Sequence, residues 1–471
     1  MSGVTQEIHT NQEYKKIVYF IALIAALGGL LFGLDQGFIA NSLKTISTTY
    51  NLETTQQESF SGVLATGGVL GALLSGFFAR FLGRKKTIVL AGFLFTIASL
   101  ISALLPSYWL LHLCRAGLGF AVGIASFTVP LYLSETSPKN LRGKFGSYFQ
   151  LMLVIGIMSI AYINVAIVKL FGETAQSMVI MYGVLTLFSL IMFLGAFILP
   201  ESPRWLILKG KEDEAYEVLK KIRVSKEEID EDIREIEEAA QVKVASFEML
   251  SKGFFWKVLL IGIASQMFQQ LVGINVMIYY GPQILGDAGF TGLLGELFIP
   301  TINLLATFIA IKYIDKLGRR TLLYIGATIM LITMLVAGIC FYIMNAEPDA
   351  SHSLVKILLV ISLGLYIVGF ASSWGPVIWV FCSEIFPLKG REIGMTITTM
   401  VNWTFASLVI SNALSFMKIF GQANLFFLFA AFCVGCLVFL KLFIPETKGV
   451  SLEKIESDLE KGIKLNKIGN N

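Results

Sequence analysis

The sequence predicts an all-α membrane protein of twelve transmembrane helices, arranged as two pseudo-symmetric halves of six. Three observations predict it: an excess of apolar over charged residues, twelve apolar runs of spanning length, and motifs that repeat six runs apart. Of 471 residues, 55% are hydrophobic and 15% charged, and mean hydropathy is +0.72. A soluble domain is roughly a quarter charged. A chain this apolar could not cover its own surface with polar groups, whereas lipid removes that requirement. The net charge is +4, and no basic tract points to nucleic acid.

Residues 1–16 are polar and lack the pattern of a removable leader, so they read as a cytoplasmic N-terminus and the first apolar run stays as a helix. Runs long enough to span at about 20 residues each fall near 17–40, 61–82, 86–105, 108–133, 145–168 and 180–199, which make an N-terminal half of 17–199. Residues 200–255 read as a cytoplasmic helical linker, because 209–252 are crowded with Lys and Glu at helical spacing; its short helices are expected to brace the two halves. Six more runs, near 256–285, 296–314, 321–344, 354–382, 393–417 and 423–443, make a C-terminal half of 256–444. The tail, 445–471, is charged again.

Lysine and arginine set the orientation. The loops with Arg80, Arg84, Lys85 and Lys86, with Lys139, Arg142 and Lys144, with Lys316, Arg319 and Arg320, and with Lys389 and Arg391 all fall on one side. That side is expected to be the cytoplasm, and both termini share it. Five cysteines lie in apolar stretches; Cys433 and Cys436 form a CxxC with apolar neighbours and read as packing.

The repeat is explicit. Arg80-Phe-Leu-Gly-Arg-Lys-Lys86 returns as Asp315-Lys-Leu-Gly-Arg-Arg320. Ser134-Glu-Thr-Ser-Pro138 with Arg142 returns as Ser383-Glu-Ile-Phe-Pro387 with Arg391. Pro200-Glu-Ser-Pro203 returns as Pro445-Glu-Thr-Lys448. Two six-helix halves about an axis along the membrane normal are a common transporter plan, with the solute between the halves.

At these residues the chain resembles the sugar porter family of the major facilitator superfamily. Gly-Arg-Lys and Gly-Arg-Arg loops mark the superfamily. Pro200-Glu-Ser-Pro-Arg-Trp205, Gln269-Gln270-Leu-Val-Gly273-Ile-Asn275 and Pro445-Glu-Thr-Lys-Gly449 together are specific to sugar porters. The resemblance implies the major facilitator fold and transport of a small sugar, with no enzyme activity, no metal and no cofactor beyond a coupling proton. The expected setting is the plasma membrane, with lipid and sugar as partners and a monomeric chain.

A sugar presents many hydroxyls and two faces of C–H, so its site needs amides and aromatic platforms. The resemblance assigns this role to Gln269, Gln270 and Asn275 on run 7, with broken helix geometry near Gly273. It carries over Gln150 on run 5, Asn303 on run 8, Trp379 on run 10, and Asn402 and Trp403 on run 11. Phe32, Phe370, Tyr279 and Tyr280 would line the cavity, and Gly375 and Pro376 would break run 10. Ile157 stands where a bacterial xylose symporter has glutamine and human glucose transporters have isoleucine, which favours a hexose over a pentose. Ala406 stands where relatives have Asn, so one polar contact is expected to be missing.

Asp35 and Arg115 are ionisable residues inside runs 1 and 4, and such residues suggest function. By resemblance Asp35 is the proton-binding aspartate of sugar–proton symporters and Arg115 its partner. His112, one turn before Arg115, reads as a helix-end histidine. By resemblance Arg84, Glu135, Arg142, Glu201, Arg319, Glu384, Arg391 and Glu446 are expected to form a cytoplasmic gate, a salt-bridge network between the halves that latches the outward-facing state. The leading reading is proton-coupled symport of a hexose, glucose or galactose. Beside it stand a facilitative uniporter, a polyol or inositol transporter, and a non-transporting sugar sensor.

Overall fold

The computed structural model describes residues 11–138, 141–241, 251–347, 352–387 and 390–448, with 450, 457–458, 461 and 463 in the tail. Six helices lead: α1 (Asn11–Tyr50), α2 (Thr54–Phe81), α3 (Arg84–Ala103), α4 (Tyr108–Thr136), α5 (Arg142–Phe171) and α6 (Ala175–Ala196). Three short helices follow, α7 (Pro203–Leu208) and the charged α8 (Glu212–Ile222) and α9 (Lys226–Gln241). Then come α10 (Gly253–Leu271), α11 (Ile274–Asp287), α12 (Leu293–Leu317), α13 (Arg319–Ala346), α14 (Ser353–Gly369), a π-helical turn (Phe370–Trp374), α15 (Gly375–Ile385), α16 (Arg391–Ile410), α17 (Ala413–Phe420) and α18 (Gln422–Phe443). Among the described residues twelve spans are long and apolar enough to cross a membrane. Three of them are broken: α10 with α11, α14 with α15, and α16 with α17.

Each break has a local cause. Gly273 adopts a left-handed φ of +93° between α10 and α11, a conformation that favours glycine. A Cβ there would also overlap the Phe429 ring. In the tenth span Pro376 sits in the first turn of α15, and the π turn before it is the kind of irregularity that gathers at functional sites. The sequence places a break at Gly375 and Pro376, and the structure begins it five residues earlier, at Phe370.

The first half is seated backbone on backbone. Gly29, Gly33 and Gly37 recur every fourth residue on α1, and a Cβ on any of them would run into the Phe149, Leu153 or Ile157 carbonyl of α5. Gly67 and Gly71 on α2 meet the Ala116 and Phe120 carbonyls of α4 in the same way, and Gly119 and Gly123 of α4 meet Leu64 and Gly68. Small residues let membrane helices approach closely. In the second half the nearest neighbours of Gly262, Gly338, Gly364 and Gly394 are phenylalanine rings.

The charged helices dock on the first half. Arg223, 5% exposed, pairs with Asp232 at 2.6 Å and donates to the Thr136 and Ser137 carbonyls that end α4. Trp205 Nε1 donates to the Arg80 carbonyl at 2.9 Å. A linker bracing both halves is the sequence expectation; these bonds all go to the first half, and residues 242–250 lie outside the described part. All five cysteines are buried and free.

Candidate solute and coupling site

The broken spans bring the amides together. Gln269 Nε2 donates to the Trp374 and Gly375 carbonyls at 2.8 and 2.9 Å, across the break of the tenth span. Asn402 Nδ2 donates to Gln269 Oε1 at 2.5 Å and to Gln266 Oε1 at 2.6 Å. Gln270 Nε2 donates to Asn402 Oδ1 at 3.0 Å, and Asn275 Nδ2 donates to Gln270 Oε1 at 2.5 Å. Gln36 Nε2, from α1 in the other half, donates to Asn275 Oδ1 at 3.2 Å. Gln269, Gln270, Asn275 and Asn402 are each 3–6% exposed. Such groups in a low-dielectric interior must be hydrogen-bonded, and here they satisfy one another in a chain that ends on Gln36 of the first half.

Sequence reasoning found four of these amides and missed Gln36 and Gln266. Both carried a signal: Gln266 is one helical turn before Gln270, and Gln36 follows Asp35 in an apolar run. Of the aromatics, Trp403 packs on Phe32 with ring centroids 5.2 Å apart, across the halves, and covers Gly68 of α2. Tyr279 is buried, and Tyr280 donates to the Ile410 carbonyl at 3.0 Å. Trp379 is half-buried on α15 and Gln150 half-buried on α5. Asn303 is set apart from the amide chain and shares a small cavity with Gly37, Ile157 and Ile278.

Asp35 and Arg115 are 0% and 1% exposed. Arg115 Nη1 lies 3.4 Å from Asp35 Oδ1. Arg115 also donates from Nε to the Phe60 carbonyl at 2.9 Å, and its guanidinium lies 5.2 Å from the centroid of the Phe60 ring. The second carboxylate oxygen, Asp35 Oδ2, accepts no hydrogen bond from the described residues. Arg115 is thus held by partners that do not depend on Asp35, and Asp35 keeps a free oxygen.

The repeated charges build the same constellation twice. Arg84 grips Glu135 through two bonds of 2.8 Å, and Ser202 donates to the same carboxylate. Glu201 accepts from the backbone N–H of Arg84 and Lys85 at the start of α3. Arg319 grips Glu384 at 3.2 and 2.8 Å, and Thr447 donates to it at 2.6 Å. Glu446 accepts from the backbone N–H of Arg319 and Arg320 at the start of α13. A carboxylate on a helix N-terminus is a favourable pairing. The sequence expectation is a latch between the halves, whereas each of these bonds closes within its own half. The Arg142 side chain lies outside the described part, and Arg391 is half-buried at the start of α16.

Cross-half bonds gather on the face opposite α7–α9. Ser407 bonds Thr66 at 2.9 Å and donates to the Gly62 carbonyl at 3.2 Å. Tyr162 meets Thr301 at 3.2 Å. Glu58, 3% exposed, accepts from Ser415 N at 2.6 Å and from Ser415 Oγ at 2.5 Å.

This arrangement has counterparts among known proteins. The galactose-proton symporter of Escherichia coli strain K12 is 39% identical over 460 residues, 97% of each chain. The arabinose-proton symporter of the same strain is 36% identical over 463 residues, again 97% of each. A glucose transporter of Staphylococcus epidermidis is 34% identical over 94% of this chain and 97% of its own. Among solved structures, the xylose transporter of Escherichia coli in an inward open conformation superposes with a TM-score of 0.81 at 28% identity, covering 93% of this chain and 99% of that one. Residues 21–459 match the sugar (and other) transporter family. With twelve apolar spans, two repeated charge constellations and an amide cluster between the halves, the chain is a multi-pass plasma-membrane protein and a secondary transporter that belongs to the sugar transporter family.

Proposed function

We propose that this chain carries out proton-coupled symport of a hexose, glucose or galactose, by alternating access, with both termini cytoplasmic. The observation that carries the reading is the buried Asp35–Arg115 pair on the same α1 turn as Gln36, which reaches the amide cluster. Gln269, Gln270, Asn275 and Asn402 hold the sugar through its hydroxyls. Trp379, Trp403, Phe32 and Tyr279 supply apolar surface, and Gln150 and Asn303 contribute from α5 and α12. Ionised Asp35 is attracted to Arg115 while burial opposes its charge, so gain of a proton releases the pair and frees α1 to move.

The relatives support the symport part of this reading, two of them being named as proton symporters of galactose and arabinose. Ile157, buried beside Gly37, favours a hexose. The positive loops put α7–α9 in the cytoplasm. The cross-half bonds then lie on the outer side, in keeping with a chain closed outside. Radiolabelled glucose and galactose uptake into proteoliposomes, with and without an inward proton gradient, tests the proposal. Accumulation only with the gradient supports it; equal final levels in both cases would make the chain a uniporter.

A further inference from the structure

The amide cluster has a direction. The carbonyls of Trp374 and Gly375 can only accept, so Gln269 must turn its NH2 group to them. Its Oε1 is then the atom facing Asn402, which must donate through Nδ2. Asn402 Oδ1 is left to accept from Gln270 Nε2, and Gln270 Oε1 to accept from Asn275 Nδ2. Asn275 therefore presents Oδ1 to α1, and the group that meets it must be a donor: Gln36 Nε2. Two backbone carbonyls at the break of the tenth span thus fix, link by link, what α1 has to supply across the interface.

Gln36 is next to Asp35, about 100° round the helix. Asp35 therefore faces Arg115 inside the first half while Gln36 faces the second half. One turn of α1 carries both groups, so neither moves without the other. Gly33 and Gly37 flank them, locked against α5, which leaves little room for local adjustment. We infer that Gln36 is a positioning residue that ties sugar occupancy to the state of the Asp35–Arg115 pair, through its bond to Asn275; the inference rests on the symport reading above. A sugar hydroxyl that engages Gln270 or Asn275 changes what Asn275 can offer Gln36, and so changes the free energy of holding α1 against α11. A proton on Asp35 acts on the same element from the other side. Two ligands that bias one element are coupled reciprocally.

The test uses the full chain in proteoliposomes, with wild type, Gln36→Leu and the shorter amide Gln36→Asn. Sugar-evoked proton uptake is read with an internal pH dye, and sugar counterflow is read on the same vesicles. In both variants the protons moved per sugar fall below wild type, whatever the absolute rate, and the factor by which pH shifts sugar half-saturation shrinks about fivefold or more. Gln36→Asn keeps the polarity, so it carries the test if Gln36→Leu does not insert. A proton-to-sugar ratio equal to wild type in a variant that still exchanges sugar overturns the inference alone. Complete loss of counterflow in both variants overturns it differently, by making Gln36 a direct sugar ligand. A wild type that moves sugar with no proton uptake removes the symport reading, and this inference with it.

Discussion

In the proposed orientation, Glu58→Ala should open the outer face. Glu58 is 3% exposed and takes two short bonds from Ser415 across the halves, at 2.6 and 2.5 Å. A hydrogen bond to a charged group contributes about 1.5–3 kcal/mol when a partner is removed. Part of that is regained when the face opens, because Glu58 borders an open pocket of about 340 Å³ with Thr55, Ser59 and Asn412, from which water can replace Ser415. A net loss of about 1–2 kcal/mol for the pair corresponds to a shift of roughly 5- to 30-fold toward the outward-open state. Spin labels on Thr55→Cys and Ile419→Cys, both exposed, would report the distance between α2 and α17, with the native cysteines buried. A longer-distance population should grow in Glu58→Ala and less so in Glu58→Gln, which keeps one acceptor. An unchanged distribution in Glu58→Ala would refute the assignment, even if transport were slower.

Four further outcomes are expected. Asp35→Asn should abolish uphill accumulation, worth about fifty-fold at 100 mV from about 2.3 kcal/mol per charge, yet leave sugar counterflow; unchanged accumulation would remove the coupling role. Gly33→Ala places a Cβ against the Leu153 carbonyl and should cost about 1–3 kcal/mol, read as a lowered Tm in detergent. Its control, Gly76→Ala, whose Cβ would meet nothing closer than 3.9 Å, should hold or raise Tm, alanine being the better helix former. Gln269→Ala strips the Trp374 and Gly375 carbonyls of a donor and should weaken sugar binding by tenfold or more, for about 1–3 kcal/mol per lost partner; titration of tryptophan fluorescence with sugar checks it. Arg223→Ala should undock α8 and α9, visible as faster limited proteolysis near Asp232 with the spans intact.

Span number, order and the repeat could be read from sequence because lipid imposes a length and a composition on every crossing. The break at Gly273 was legible too, as glycine beside amides in an apolar run. The break between α16 and α17 was not: Ser411 and Asn412 carry no glycine or proline. The repeated acids were visible, but their partners were not. Arg84 and Glu135 are 51 positions apart, and Glu201 spends its charge on backbone N–H groups, which a residue list does not display. Gln36 and Glu58 escaped for a related reason: each acquires meaning from a residue in the other half, 239 and 357 positions away.

The two kinds of glycine seat give the molecule unequal compliance. Carbonyl oxygens of α5 and α4 leave the first half no slack, since backbone cannot change rotamer. The phenylalanines beside Gly262, Gly338, Gly364 and Gly394 can swing, and three of the six later spans are already jointed. The α1–α5 and α2–α4 pairs therefore turn as stiff units, and the Asp35–Arg115 contact lies at the joint between them. A cross-link between α1 and α5 should be tolerated through the whole cycle, and one across the break between α10 and α11 should stall it.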